Sequence, residues 1–197
     1  MDPVTHALMG ATLAAVVARD GPVRVAALVG AVAAVIPDLD VLISNSDDPL
    51  LQLEMHRQFT HSLLFAPIIG ALLALAFGRV RRLNLKFSQG WLYATVGALS
   101  AGLLDACTSY GTQLLWPFAD TRIAWNVVAV IDPVITLALL VAAAVSLKRD
   151  GSGAAAVGGA AAISYLFAGA IAHDRAEWVA RSLASERGHI VESVQVK

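Results

Sequence analysis

The feature that most restricts this chain is its series of long apolar stretches, because a bilayer core about 30 Å thick takes roughly 20 apolar residues of helix to cross. Ser62 to Gly78, Trp91 to about Leu104, Val127 to Leu147 and Ala154 to Ala172 approach or reach that length. Two earlier stretches, Val4 to Ala18 and Val23 to Ile36, are shorter, and each suits a short tilted span, a re-entrant segment or a helix packed inside a bundle. No alternation of period two competes with helix, and the Ala, Leu and Gly content suits helices that approach closely. The expected fold is all-α: a polytopic membrane helix bundle of four to six hydrophobic helices over residues 1–174, then a polar tail over 175–197.

Composition agrees. Hydrophobic residues make up 57% of the 197 and charged residues 15%, against about 45–50% and about 25% in soluble domains. A net charge of -1 offers no basic excess for neutralising phosphates, which sets nucleic-acid binding aside. The single cysteine, Cys107, excludes an intramolecular disulfide and a thiolate cage, so a transition-metal site has to rest on His and carboxylate. The start, MDPVTHALMG, lacks the basic leader of a secretory signal. Asp2 and Pro3 read instead as the N-cap and first residue of a helix.

Basic residues set the expected orientation, since cytoplasmic loops are enriched in Lys and Arg. With six alternating segments, Arg19, Arg24, Arg79, Arg81, Arg82, Lys86, Lys148 and Arg149 share one side. Arg57 and Arg122 fall on the other, as does the tail with four more basic residues, which weakens the contrast. The first side is then cytoplasmic. Placed on that topology, His6, Asp38, Asp40, His56, Arg57, His61, Asp105, Asp132, His173 and Asp174 all fall at outward helix ends, which is the strongest functional signal in the sequence.

Imidazole and carboxylate bind Zn, Mn or Fe, and a catalytic metal needs about three protein ligands and an open position for water. Each residue also has a plainer reading. Asp38 and Asp40 point about 200° apart on a helix, so both face one site only if the chain leaves helix near Pro37; otherwise they are solvated caps. His56 and His61 are about 140° apart on a regular helix, unlike the one-turn spacing of a His-Glu-x-x-His zinc helix. Thr60 suits the cap of the next helix, with His61 in its first turn and His56 on the loop before it. Asp105, Thr108, Ser109 and Thr112 make an i, i+3, i+4, i+7 stripe, and an ionisable residue in a span is a functional hypothesis by default. Asp132, before Pro133, reads as an N-cap. His173 and Asp174 suit a helix leaving the membrane, and His189 a solvated tail. Arg57 and Arg122 suit an anionic substrate such as a phosphate, or lipid headgroups. Trp91, Tyr110, Trp116 and Trp125 read as an interfacial belt without chemistry.

The segments MDPVTHALMGA, IPDLD, HRQFTHSLLF and LLDACTSYGTQLLWPF, in that order, resemble the YdjM-like membrane-bound metal-dependent hydrolases of bacteria. The resemblance runs from Met1 to about Pro133 and more loosely through the last hydrophobic helix. It implies a multi-pass protein of the bacterial inner membrane and a metal-dependent hydrolase, with His6, Asp38, Asp40, His56, His61 and Asp105 at the positions of the family's polar motifs. Members often continue into a longer C-terminal region than this chain has. A more distant similarity of arrangement is to the all-helical zinc phospholipase C and P1 nuclease group, which implies a phosphoester or ester of lipid or envelope material as substrate. The expected site is therefore a divalent metal, zinc first, held by those six residues, with Asp105 as a candidate base and Arg57 holding substrate charge. An ion-coupled transporter or channel is the alternative from another class, but it calls for charge near the midplane and paired broken helices. A non-catalytic membrane protein is the third reading.

Overall fold

The computed structural model of the chain describes residues 1–18, 21–43, 48, 51–189 and 193; Arg19, counted above, lies outside them, as do 190–192 and 194–197 of the tail. The first helix, α1 (Pro3–Val17), begins as its sequence predicts: Asp2 Oδ1 accepts from the amides of Val4 at 3.1 Å and Thr5 at 3.0 Å, with Pro3 in the first turn. The second, α2 (Val23–Val35), tightens at Ile36 into a 3-10 segment that ends at Leu42 and contains Pro37. A short α3 (Leu51–Met55) and a 3-10 turn (Phe59–His61) lead into α4 (Phe65–Gly78). Then come α5 (Phe87–Ala106), α6 (Pro133–Arg149) and α7 (Gly153–Glu186). Among the described residues there is no strand; Thr112 and Ile123 form an isolated antiparallel bridge.

Two helical stretches are long and apolar enough to cross a bilayer, Val23–Leu42 at mean hydropathy 2.0 and Gly153–Glu186 at 1.7. That is fewer than the four to six expected, for local reasons. The helices α1 and α4 are short apolar helices. The helix α5 has length, but Ser88, Gln89, Ser100 and Asp105 dilute its hydropathy. The helix α6 starts only at Pro133, because Asp132 Oδ1 takes the amides of Val134 at 2.9 Å and Ile135 at 3.3 Å and caps it there, leaving the apolar Val127–Ile131 outside. Helix α7 runs unbroken across position 174 to Glu186, 34 residues in all, about 50 Å at 1.5 Å per residue.

Outward faces carry Ile68, Leu72 and Leu75 on α4, Leu137 and Val141 on α6, and Val157, Phe167 and Ile171 on α7, with Leu72 63% and Phe167 67% exposed. So much apolar surface turned outward suits lipid better than water. Inside, α1, α2 and α5 meet on an alanine-rich seam that includes Ala14, Ala26, Val29, Ala33 and Ala94. Gly10, Gly30 and Gly97 let the backbones touch: a Cβ on Gly30 would run into the Gly10 carbonyl and the Ala14 methyl, and one on Gly97 into the Gly30 carbonyl. Gly30→Val should therefore lower stability by about 1–3 kcal/mol. Gly78→Ala, where nothing lies within 4 Å, should stay within about 0.5 kcal/mol of wild type. Denaturant titration in detergent micelles reads both.

The two ends of the bundle differ chemically. At one, Arg24 Nε donates to the Leu147 carbonyl at 3.1 Å and lies 3.8 Å from Asp150, joining the start of α2 to the end of α6. The start of α1, the 3-10 end of α2 and the end of α5 form the opposite one, where the His and Asp residues gather.

Candidate metal centre

Four separate segments supply this end. His6 comes from the first turns of α1, Asp38 and Asp40 from the 3-10 segment after α2, His56, Arg57 and His61 from the turns before α4, and Asp105 from the last turn of α5. The departure from α-helix at Ile36 meets the condition for Asp38 and Asp40 to serve one site: they flank the His61 ring, with Asp38 Oδ1 3.3 Å from Nε2 and Asp40 Oδ2 3.4 Å from Nδ1. His6, fully buried, bridges two acids, its Nδ1 3.0 Å from Asp38 Oδ2 and its Nε2 3.1 Å from Asp105 Oδ1. Ligand atoms of His6, Asp38 and Asp105 all lie within 4.8 Å of one another. His61 Nε2 joins this group, also lying 3.3 Å from Asp105 Oδ2.

Proton accounting shows what is missing. An ionised carboxylate only accepts, a neutral imidazole has one N–H, and a hydroxyl has one O–H. The Thr60 hydroxyl donates to Asp40 Oδ2 at 2.8 Å, so its oxygen accepts from His61 Nδ1 at 3.0 Å. A neutral His61 therefore turns the lone pair of Nε2 toward two carboxylate oxygens, which is repulsive unless a cation stands between them. Asp105 Oδ2 is buried with no hydrogen bond, although Arg57 Nε is 3.0 Å away, because the two are not aligned for one. The Met1 amino group also contacts Asp105 Oδ1.

Asp40 and His56 stand one layer out. Asp40 Oδ1 accepts from His56 Nδ1 at 2.7 Å, and Oδ2 accepts from the Arg57 amide and Thr60, both at 2.8 Å. With both oxygens engaged, Asp40 holds His61 in one tautomer, the role such partners play beside metal ligands. His56 keeps a quarter of its side chain exposed.

Arg57 is turned inward rather than toward a substrate. It is 5% exposed, and its guanidinium reaches the Thr108 hydroxyl and the Met1 carbonyl, each at 3.5 Å. Burial pulls its pKa down from the ordinary value, with the Asp38 charge opposing. The Thr and Ser stripe after Asp105 is not helical, since α5 ends at Ala106. Thr108 Oγ1 closes back on the Asp105 carbonyl at 2.7 Å, and Thr112 Oγ1 donates to the Arg57 carbonyl at 2.9 Å. Thr60 likewise serves Asp40 instead of capping α4. Tyr110, read in the sequence as part of an interfacial belt without chemistry, stands beside the cluster: its ring lies 5.5 Å from His56 and 4.9 Å from the guanidiniums of both Arg57 and Arg122. Its place between Ser109 and Gly111, just after Asp105, was the available signal. Asp132 is a cap that also accepts from Tyr165 at 2.9 Å. His173 and Asp174 line, with Cys107 and Trp125, a separate apolar cavity of about 470 Å³. His189 is exposed.

The fold and this end of it define an all-helical, membrane-type protein with a buried His/Asp cluster. The chain belongs to the YdjM inner membrane protein family, whose model matches residues 1–176. It is 38% identical over 105 residues to the inner membrane protein YbcI of Escherichia coli (strain K12), covering 51% of this chain and 60% of that one. To the uncharacterized protein YfhP of Bacillus subtilis (strain 168) it is 31% identical over 159 residues, 74% of this chain and 46% of the relative. The chain thus spans about half the length of these relatives. No solved structure matches it.

Proposed function

We propose that the protein is a membrane-embedded, metal-dependent hydrolase of the bacterial inner membrane, acting at the membrane surface on a phosphoester or ester of lipid or envelope material. One observation carries the reading: the His61 Nε2 lone pair converges with carboxylate oxygens of Asp38 and Asp105, at 3.3 Å each. Tetrahedral ligands about 2.1 Å from a zinc ion are roughly 3.4 Å from one another. The His6 to Asp105 separation of 3.1 Å and the two at His61 are close to that edge. The buried Asp105 Oδ2 without a hydrogen bond fits the same ion. Nitrogen and oxygen donors with no thiolate suit Zn first, then Mn or Fe.

On this reading His6, Asp38, His61 and Asp105 hold the metal, with Asp40 and His56 completing the six-residue site around them. A bound divalent metal supplies Lewis-acid polarisation and lowers the pKa of a water toward about 7. Asp40 and Thr60 fix the His61 tautomer, and Arg57 balances the charge of Asp105. The helices α1, α4, α5 and α6 complete a multi-pass bundle of four to six spans alongside the two long apolar stretches, with lipid as its surroundings. An outward-facing His/Asp end is supported by the basic residues at the Arg24 end.

Elemental analysis of detergent-purified, monodisperse protein tests the reading. One transition metal or more per chain in wild type, lost in His61→Ala, is expected; negligible metal after growth with Zn, Mn and Fe supplements would sink it.

A further inference from the structure

Two guanidiniums converge on one aromatic ring beside the cluster, and only one has a counter-charge. The guanidinium carbons of Arg57 and Arg122 each lie 4.9 Å from the Tyr110 centroid. Arg57 is balanced by Asp105 at 3.0 Å. Among the described residues no carboxylate lies within ion-pair reach of Arg122. Its Nη1 and Nη2 donate to the carbonyls of Gly111 at 3.4 Å and His56 at 3.1 Å, which pins the planar fork while leaving N–H groups over. Bringing two like charges onto one ring is unfavourable unless an anion joins them.

The position also suits an incoming ligand. His6 and Asp105 are fully buried, whereas Tyr110 is 37% exposed and Arg122 half-buried, so the Tyr110–Arg122 side is the open side of the cluster. Three carboxylates repel an anionic substrate, and a cation at the entrance offsets that repulsion. Arg122 is bound through its backbone-carbonyl contact to His56, whose ring holds Asp40.

We infer that Arg122, steadied by Tyr110, is the substrate-anion residue of this site, and that the anion is a phosphate group. A planar fork with free donors matches phosphate oxygens bidentately. Of the two arginines that the sequence offers for an anionic substrate, Arg57 and Arg122, this keeps Arg122 alone, and it narrows the substrate to phosphoesters. It rests on the hydrolase reading above.

Titration calorimetry with inorganic phosphate, on metal-loaded wild type, Arg122→Gln and Arg122→Lys, tests it, with metal content measured on the same samples. Expected is phosphate binding in wild type, weakened at least tenfold in Arg122→Gln and less in Arg122→Lys, at unchanged metal content. Equal binding in Arg122→Gln, or none in metal-loaded wild type, overturns the assignment while leaving the metal reading standing. Loss of metal in both variants makes Arg122 a structural clamp on His56 and also overturns it. Absence of metal in wild type fails the parent reading instead and takes this one with it. A parallel titration with dihexanoyl phosphatidate separates two sources of the group: tighter binding than inorganic phosphate assigns a lipid headgroup, and equal or weaker binding a soluble phosphate.

Discussion

Asp105→Asn should strip the protein of metal and lower its stability by about 3–5 kcal/mol, the cost of leaving one member of a buried ion pair alone. The amide keeps the size of the side chain and its place in the last turn of α5 but removes the charge on which the Met1 amino group and three side chains converge. Those side chains are His6 Nε2 at 3.1 Å, His61 Nε2 at 3.3 Å and Arg57 Nε at 3.0 Å. Arg57 suffers most, because at 5% exposure it cannot turn to solvent. Adding Arg57→Met to Asp105→Asn should return part of the lost stability, since neither partner of the pair is then charged. Elemental analysis and denaturant unfolding in micelles read the two effects separately. An Asp105→Asn protein with full metal and wild-type stability would move the centre away from α5 altogether.

Most of the helices were legible in the sequence, and so was the gathering of polar groups at one end, because both depend on local pattern. Asp2-Pro3 and Asp132-Pro133 marked helix starts by capping chemistry that needs no tertiary context. The span count was less legible. Apolar length counts Val127–Ile131 toward a helix, whereas the Asp132 cap begins α6 after them; hydropathy alone does not see that competition. In the site, the kink at Pro37 let Asp38 and Asp40 share a target, as the sequence allowed. Their division of labour was hidden, because it depends on where the Thr60 hydroxyl sends its proton across segments. The stripe through Thr108 and Thr112 had helical spacing but not a helical backbone. Gly111, at φ +69°, turns the chain there and sets Tyr110 against both arginines. Arg57 was read as open to substrate since nothing local says that the Asp105 carboxylate, 48 positions on, will claim it.

Chelation separates a metal centre from a network of ion pairs, which carries the last prediction. Removing metal from wild type should lower its stability by about 4 kcal/mol relative to protein held at a thousandfold excess over the dissociation constant, and do nothing to Asp105→Asn. The sign follows from charge. With the cation gone, the three carboxylates of Asp38, Asp40 and Asp105 outnumber Arg57 and the Met1 amino group as long as the imidazoles stay neutral, and the His61 lone pair meets two oxygens directly. Four segments that are distant in sequence meet at this point, so the loss should be local. Amide exchange should speed up around His6, Asp38 to Asp40, His56 to His61 and Asp105 to Thr112. It should stay slow along the seam of Gly10, Gly30 and Gly97, where backbone contact rather than charge holds α1, α2 and α5 together. Hydrogen exchange with and without chelator measures this directly. Equal exchange in both would mean that the acids and histidines satisfy one another as protonated pairs, and that the cluster is a structural lock with no metal in it.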